Sequence, residues 1–402
     1  MAILFLVIAI ANVDRHAFSI ILDSIKHEFG LSDAMAGFLT GSAFALFYAT
    51  FGIPVARLAD TTNRRKLIGA AVGLWSAATA LCGVAQSSVQ LFIFRMTVGI
   101  GEAGATPPSH SLIANYFPPE KRAFPFSLLY VGAMLGSASV FYVGGMLAES
   151  YGWRMMLIFI GLPGIPIGLL AWFFLLEKRP SGPLPSISKM ATDTVSVGRG
   201  LFANVAYRHL MIGYMLFGFQ AFGVTHWDVS FLARTFDMQL KEVTQAIAYT
   251  TLIAGLIGVL GGGAIATFIT KRYGLKWLAI FPAICLLLSF PFHLAKYLAP
   301  TFELAVIFML VGSTVSIGFV GSFFASVQAV ITDKERSTAV AIIVFLANII
   351  GYGGGPVVVG FLSDLFEPTQ GVMSLRYALA VAICVVPWSA AHLYYASRHF
   401  KV

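Results

Sequence analysis

"LFIFRMTVGIGEAGATPP", Leu91–Pro108, is an apolar stretch that carries two ionisable side chains, Arg95 and Glu102. Seven residues separate them. That is two helical turns, so both project from one face, about 10 Å apart along the axis. A second apolar run, "MAILFLVIAIANVDRHAFSIIL" (Met1–Leu22), is interrupted by Asp14 and Arg15. On insertion scales an ionisable group at membrane depth costs roughly 2.5–3.5 kcal/mol, and it survives there by facing a water-filled cavity or another charge. Four such groups on two helices point to a polar site inside a helical bundle.

Composition agrees with a membrane setting. Of the 402 residues, 58% are hydrophobic and only 11% charged, and the mean hydropathy is +0.83. A soluble domain is about 25% charged, so a polytopic membrane protein is expected. The net charge of +8 sits in loops without aromatic interleaving, which sets topology rather than binding nucleic acid. Cys82, Cys285 and Cys384 lie in apolar spans with no CxxC pair, and no HExxH, GxSxG or HxxxxD pattern occurs. No metal site, cofactor, disulfide or catalytic residue is therefore expected, and the chain reads as a non-enzyme. The opening "MAILFLVIAI" resembles the apolar core of a signal peptide but lacks a basic leader and a cleavage motif. It reads as part of a functional first span, with the chain starting inside that span.

Twelve apolar spans are long enough to cross a hydrocarbon core of ~30 Å. Six fall at 1–24, 34–58, 66–85, 88–115, 122–148 and 154–176, and six at 206–234, 242–270, 274–293, 302–331, 336–363 and 372–396. The expected organisation is an N-terminal six-helix bundle (1–176), a Pro-, Ser- and Gly-rich cytoplasmic linker (177–205) and a C-terminal six-helix bundle (206–402). With both termini cytoplasmic, eighteen Lys and Arg residues face inside and six outside, while Arg15 and Arg95 complete the 26. That asymmetry orients the chain. The halves also repeat: "PPEKRAF" (118–124) matches "TDKERST" (332–338), placing Arg122 opposite Arg336, and "GGMLAES" (144–150) matches "VGFLSDL" (359–365). Parallel six-span repeats bracket a midplane site in one large transporter class.

Between spans two and three, "ARLADTTNRRK" (56–66) sets Asp60 against Arg64, Arg65 and Lys66. An acid beside a cluster of bases across a tight loop can hold two helices together and release them when they tilt. This loop resembles the signature of the major facilitator superfamily, G-x-L-x-D-R-x-G-R-R/K. Leu58, Asp60, Arg64 and Arg65 fall on the pattern, whereas Ala56, Thr61 and Asn63 replace Gly, Arg and Gly. The resemblance implies a gating role for Asp60, Arg64 and Arg65 with a looser turn. "NVDRHAFSIIL" (12–22), "FGLSDAMAG" (29–37) and "RMTVGIGEAGATPP" (95–108) are similar to the Spinster-like branch, and the likeness is clearest over 12–122. Members of that branch are associated with export of lysophospholipids and sphingoid phosphates, some of them coupled to protons. The organic-anion and phosphate-symporter branch carries a similar span-four stretch, so a symporter of small organic anions or sugar acids is the alternative.

Counting from the outer helix ends puts Asp14 between Arg95 and Glu102 in depth. An Asp14–Arg95 pair is expected, with Glu102 left to take a proton or to pair with Arg15. Burial favours a neutral carboxylate and a nearby guanidinium the ionised one, so a change of partner would load and release a proton. The expectation is that Asp14 and Glu102 carry the proton while Arg15 and Arg95 attract an anionic headgroup, because the planar guanidinium fork suits phosphate. Phe44 and Tyr48, one turn apart on span two, would wall the apolar part. The second half lacks a matching charge set. His226, Trp227 and Asp228 near the outer end of span seven are candidates for the route, and Asn348 and Gln328 are weaker ones. Trp227 reads equally as an interfacial anchor. The glycine runs at 258–266 and 351–360 read as close-packing stretches. The expected partners are a small-molecule or lipid substrate, protons and membrane lipids. The expected form is a monomer in the plasma (inner) membrane.

Overall fold

The computed structural model describes residues 1–118, 121–177, 198–332 and 335–400. The described residues are predominantly helical, with no strand among them. Most of the linker anticipated at 177–205 lies outside them. Seven helical stretches are long and apolar enough to cross a membrane, and two of these, Phe124–Phe174 and Thr338–Ser397, run to 51 and 60 residues, enough for two crossings each. The helices of spans three, four and seven, Arg64–Cys82, Ser88–Glu102 and Val205–Gly218, are further elements. Each of those spans carries charged or broken sequence that dilutes its hydropathy.

The chain forms two compact units. Unit 1 comprises Met1–Leu184 together with Asp228–Ala248, and unit 2 comprises Pro185–Trp227 with Tyr249–Val402. The exchange of Asp228–Ala248 into unit 1 has a chemical cause. The Arg234 guanidinium donates to both carboxylates of Asp23 and Asp33, with its Nη1 2.9 Å from Asp33 Oδ2. Lys26 Nζ lies 2.7 Å from Asp33 Oδ1. Two cations and two anions thus neutralise one another within unit 1, at the end of span one, the start of span two and the end of span seven.

Several spans differ from the sequence reading, three of them near functional candidates or buried charge. Span one is helical over Ala2–Ile20, breaks at Ile21, and resumes over Leu22–Phe29 until Gly30, at φ 62, turns the chain. Span seven leaves α-helix at Gly218 for a π-helical turn over Phe219–Val224 and then a 3-10 turn over Thr225–Trp227. Span nine runs over Trp277–Leu298, past its expected end at 293 and through Pro282 and Pro291 inside it, and it ends where Ala299 precedes Pro300. Lys296, read from sequence as an outer-loop residue, is therefore a helical side chain and is only 1% exposed. Further π-helical turns occur at Phe38–Ser42, Val140–Gly144 and Ile349–Gly354. The three cysteines are free thiols.

Candidate functional site

The buried charges meet in unit 1, and glycine is what lets them. Span four carries Arg95, Gly99, Gly101 and Glu102. A Cβ on Gly99 would lie 2.5 Å from the Phe44 carbonyl oxygen of span two, and one on Gly101 would lie 2.8 Å from Trp75 Cβ of span three. Span four consequently seats against both neighbours at backbone distance. Arg95 and Glu102, two turns apart, then face into the bundle, where each is 1% exposed.

The partners differ from the first of the sequence expectations. Arg15 Nε donates to Glu102 Oε2 at 2.6 Å, bridging span one to span four. Asp14 forms no ion pair with Arg95. It is 1% exposed, lies within electrostatic reach of Glu102 and Arg95, and is turned towards Thr79 and Trp75 of span three. Its Oδ1, the Thr79 hydroxyl, the Trp75 N–H and Glu102 Oε1 complete no hydrogen bond. Arg95 donates through Nη2 to the Thr40 carbonyl at 2.8 Å and stacks 3.8 Å from the centre of Phe18. Its Nε and Nη1 are buried without an acceptor. Depth counting says nothing of rotation about each helix, and rotation decides which pairs touch.

Phe44 and Tyr48 stack with centres 5.5 Å apart. The Arg15 guanidinium lies 4.9 Å from the Tyr48 ring and 5.6 Å from Phe44. An aromatic face attracts a cation by about 0.5–2 kcal/mol, so the two rings help hold Arg15 in place. Arg15 is the most open of the four, its side chain 17% exposed against 1% for Glu102. Chemically the site holds two fixed cations and two carboxylates, each carboxylate with one oxygen free to receive a proton.

Of the loop residues assigned to gating, the side chains of Arg64 and Arg65 are described. Arg64 is 1% exposed and donates through Nε and Nη2 to both oxygens of Glu177, at 3.0 and 2.6 Å, and through Nη1 to the Ser111 hydroxyl. Its backbone N–H also donates to Glu177. Glu177 follows span six and was missed, because a lone acid beside Lys178 and Arg179 reads as loop charge. Arg65 is partly buried, its Nε without an acceptor. The Asp60 side chain lies outside the described residues. His226 and Trp227 fall in unit 2 and Asp228 in unit 1. Trp227 is fully buried and donates to the Pro356 carbonyl at 3.0 Å, so it anchors span seven to span eleven rather than sitting at the membrane surface. His226 is 6% exposed and so is not a solvated ring. Asn348 bonds back to Val344 of its own helix, and Gln328 is exposed.

The Major Facilitator Superfamily model matches residues 4–356. An MFS-type efflux pump of Mycolicibacterium smegmatis is 29% identical over 99% of this chain and 92% of its own length. A probable L-galactonate transporter of Escherichia coli is 26% identical over 96% of this chain and 86% of its own. Protein spinster homolog 1 of Xenopus laevis is 25% identical over 95% and 77%. Among solved structures, a bacterial homolog of the human lysosomal transporter Spinster, inward-facing and occupied, superposes with a TM-score of 0.86 at 26% identity, covering 99% of this chain and 96% of that one. These relatives are transporters, and their fold implies twelve spans in an integral, multi-pass membrane protein. The chain accordingly belongs to the major facilitator superfamily, is Spinster-like within it, and is a transporter rather than an enzyme.

Proposed function

We propose that the protein is a secondary active, proton-coupled transporter of an amphiphilic anion such as a lysophospholipid or sphingoid phosphate. The observation that carries this reading is the Arg15–Glu102 pair. It is buried on the carboxylate side, open on the guanidinium side and backed by Tyr48 and Phe44. An incoming phosphate or carboxylate competes with Glu102 for the guanidinium, to which it can bind in parallel bonds. The displaced carboxylate, left inside the protein without its cation, is neutralised by a proton. Asp14, with Oδ1 unbonded, is the second seat for that proton. Arg95 supplies constant positive potential behind both. Anion entry and proton uptake thus become one event, as coupling requires.

A small organic anion or sugar acid is the second reading, supported by the likeness to the probable L-galactonate transporter. The amphiphile is favoured because the buried charges of this site all lie in unit 1. In unit 2 residues 209–227, 304–332 and 338–363 contain no Asp, Glu, Lys or Arg. A ligand with one charged end and an apolar remainder matches that division. The excess of basic residues in one set of loops supports cytoplasmic termini and a plasma-membrane location, and a monomer suffices for the cycle.

Glu102→Gln tests the coupling. In proteoliposomes with a pH gradient, the variant is expected to lose proton-driven uptake of an oleoyl lysophosphatidic acid probe while still binding it. Unchanged proton-driven uptake by the variant would end the assignment.

A further inference from the structure

Two histidines of unit 2 meet edge to edge. His209 Nδ1 lies 2.8 Å from His392 Nδ1, joining the start of span seven to the end of span twelve. The ring centres are 5.0 Å apart and the planes 28° from parallel. That separation is the 2.8 Å gap plus a ring radius at either end, so the two nitrogens face each other along the line of centres. A metal ion held by both would need the lone pairs to converge on a third point, which this arrangement does not provide. Two bare lone pairs would repel and two N–H groups would collide, so one nitrogen carries a hydrogen and donates it to the other. The helices hold the rings there. One turn along the pair, Ser389 Oγ donates to the Gly213 carbonyl at 2.6 Å, and a Cβ on Gly213 would lie 2.6 Å from Leu393 Cδ2. The Tyr395 ring packs 4.5 Å from that of His209.

Two neutral imidazoles make this bond with one donor. A first added proton strengthens it, because an imidazolium then donates to a neutral partner. A second proton has to occupy the accepting nitrogen, which removes the bond and sets two positive rings nitrogen to nitrogen. The surroundings are basic. The helices that pack on spans seven and twelve here are Trp277–Leu298, Val320–Ala329 and Arg336–Asn348. Neither they nor Val205–Gly218 and Val385–Ser397 contain an Asp or Glu. Their basic groups besides the pair are Arg208, His293, Lys296 and Arg336, and Arg398 and His399 follow span twelve. Glu335, just ahead of Arg336, bonds to Thr332. No carboxylate on these helices offsets a second positive ring. Both rings are half-buried, with Arg208, Arg398 and His399 exposed on the same two helix ends, so protons from solution reach the pair.

We propose that His209 and His392 share one proton and act as a pH-sensitive clip between spans seven and twelve, closed while at most one ring is charged and opened when acid charges both. The clip belongs to unit 2 alone and is independent of the transported anion. The second charge goes on against the first, so opening is an acid-side event. The stability that the clip contributes is present at neutral pH and lost as pH falls through the second step.

The test reads each ring and then the clip. In the full-length protein carrying isotope-labelled histidine, NMR of the ring nitrogens is expected to show the pair taking up protons in two steps, at least about one pH unit apart. His392→Asn sets a neutral amide where Nδ1 was, which can donate or accept, so the bond is kept and His209 is expected to titrate in one step. The thermal midpoint in detergent is then followed from neutral pH to about pH 5, a range that spans the titration of histidine. Its fall on acidification is expected to be about 2 °C larger in wild type than in His392→Asn, the share of one net hydrogen bond in a chain of this size. His209→Asn is expected to reproduce both effects from the other ring, which keeps the test open if one variant folds poorly. A single common step for the two rings in wild type overturns the proposal. So does an unchanged His209 titration in His392→Asn, or an acid loss as steep in the variants as in wild type.

Discussion

The two units solve the same packing problem with different chemistry. Unit 1 ties its helices together with buried and half-buried charge: Arg15 to Glu102, Arg64 to Glu177, Arg234 to Asp23 and Asp33. In spans seven, ten and eleven, unit 2 relies on stacked rings, glycine contacts and neutral hydrogen bonds such as Trp227 to Pro356. Charge pairs in low dielectric are strong but unforgiving, since loss of one member strands the other. Neutral contacts are individually weaker and fail more gently. Buried charge is not absent from unit 2, where Lys296 of span nine is 1% exposed, but spans seven, ten and eleven do without it.

That contrast can be broken most severely at Glu177. Glu177→Ala leaves Arg64 buried with only the Ser111 hydroxyl and nearby Asn115 as neutral partners. Stranding a buried ion costs about 3–5 kcal/mol, and a correspondingly large drop in the thermal midpoint in detergent is expected. A midpoint unchanged within error would show that charge does not hold this end of unit 1.

The matching substitution in unit 2 is Trp227→Phe. It keeps one ring but removes the donor and part of the ring volume, so a loss of about 1–3 kcal/mol is expected. A loss as great as that of Glu177→Ala would erase the distinction between the units.

The mildest test concerns a charge pair at the surface. Arg154 and Trp153 both donate to Glu28, and the Arg154 bond holds the Glu28 carboxyl below its usual range. Because the folded-state value is depressed, the pair stabilises above the ordinary carboxylate value of about 4.3, and that contribution is lost as pH falls through the lowered one. Both side chains are a third or more exposed, so solvent screening limits the effect to about 0.5 kcal/mol. Glu28→Gln is expected to flatten the thermal midpoint between pH 5 and 3 by that small amount. An equally steep acid loss in the variant would assign it elsewhere.

How much of this was legible depends on whether a residue contradicts its surroundings. Asp14, Arg15, Arg95 and Glu102 stood out because each interrupts an apolar run, whereas the close approach at Gly99 and Gly101 carried no sequence reading. Their partners did not follow from spacing, since depth along a helix says nothing of rotation about it. Glu177 hid among loop charges, and Lys296 was assigned to a loop because hydropathy falls before the helix ends. Trp75, Thr79 and Thr40, which complete the surroundings of Asp14 and Arg95, read simply as helix residues.

The π-helical turn at Phe38–Ser42 has a consequence for how span two tolerates change. Each residue of an α-helix advances the azimuth by about 100°. The surplus residue in that turn therefore fixes the compass bearing of Phe44 and Tyr48 relative to Ser32–Gly37. Swapping one letter for another within the turn leaves that bearing alone. Shortening it by a single letter would swing both rings off Arg15 while leaving composition and hydropathy almost untouched.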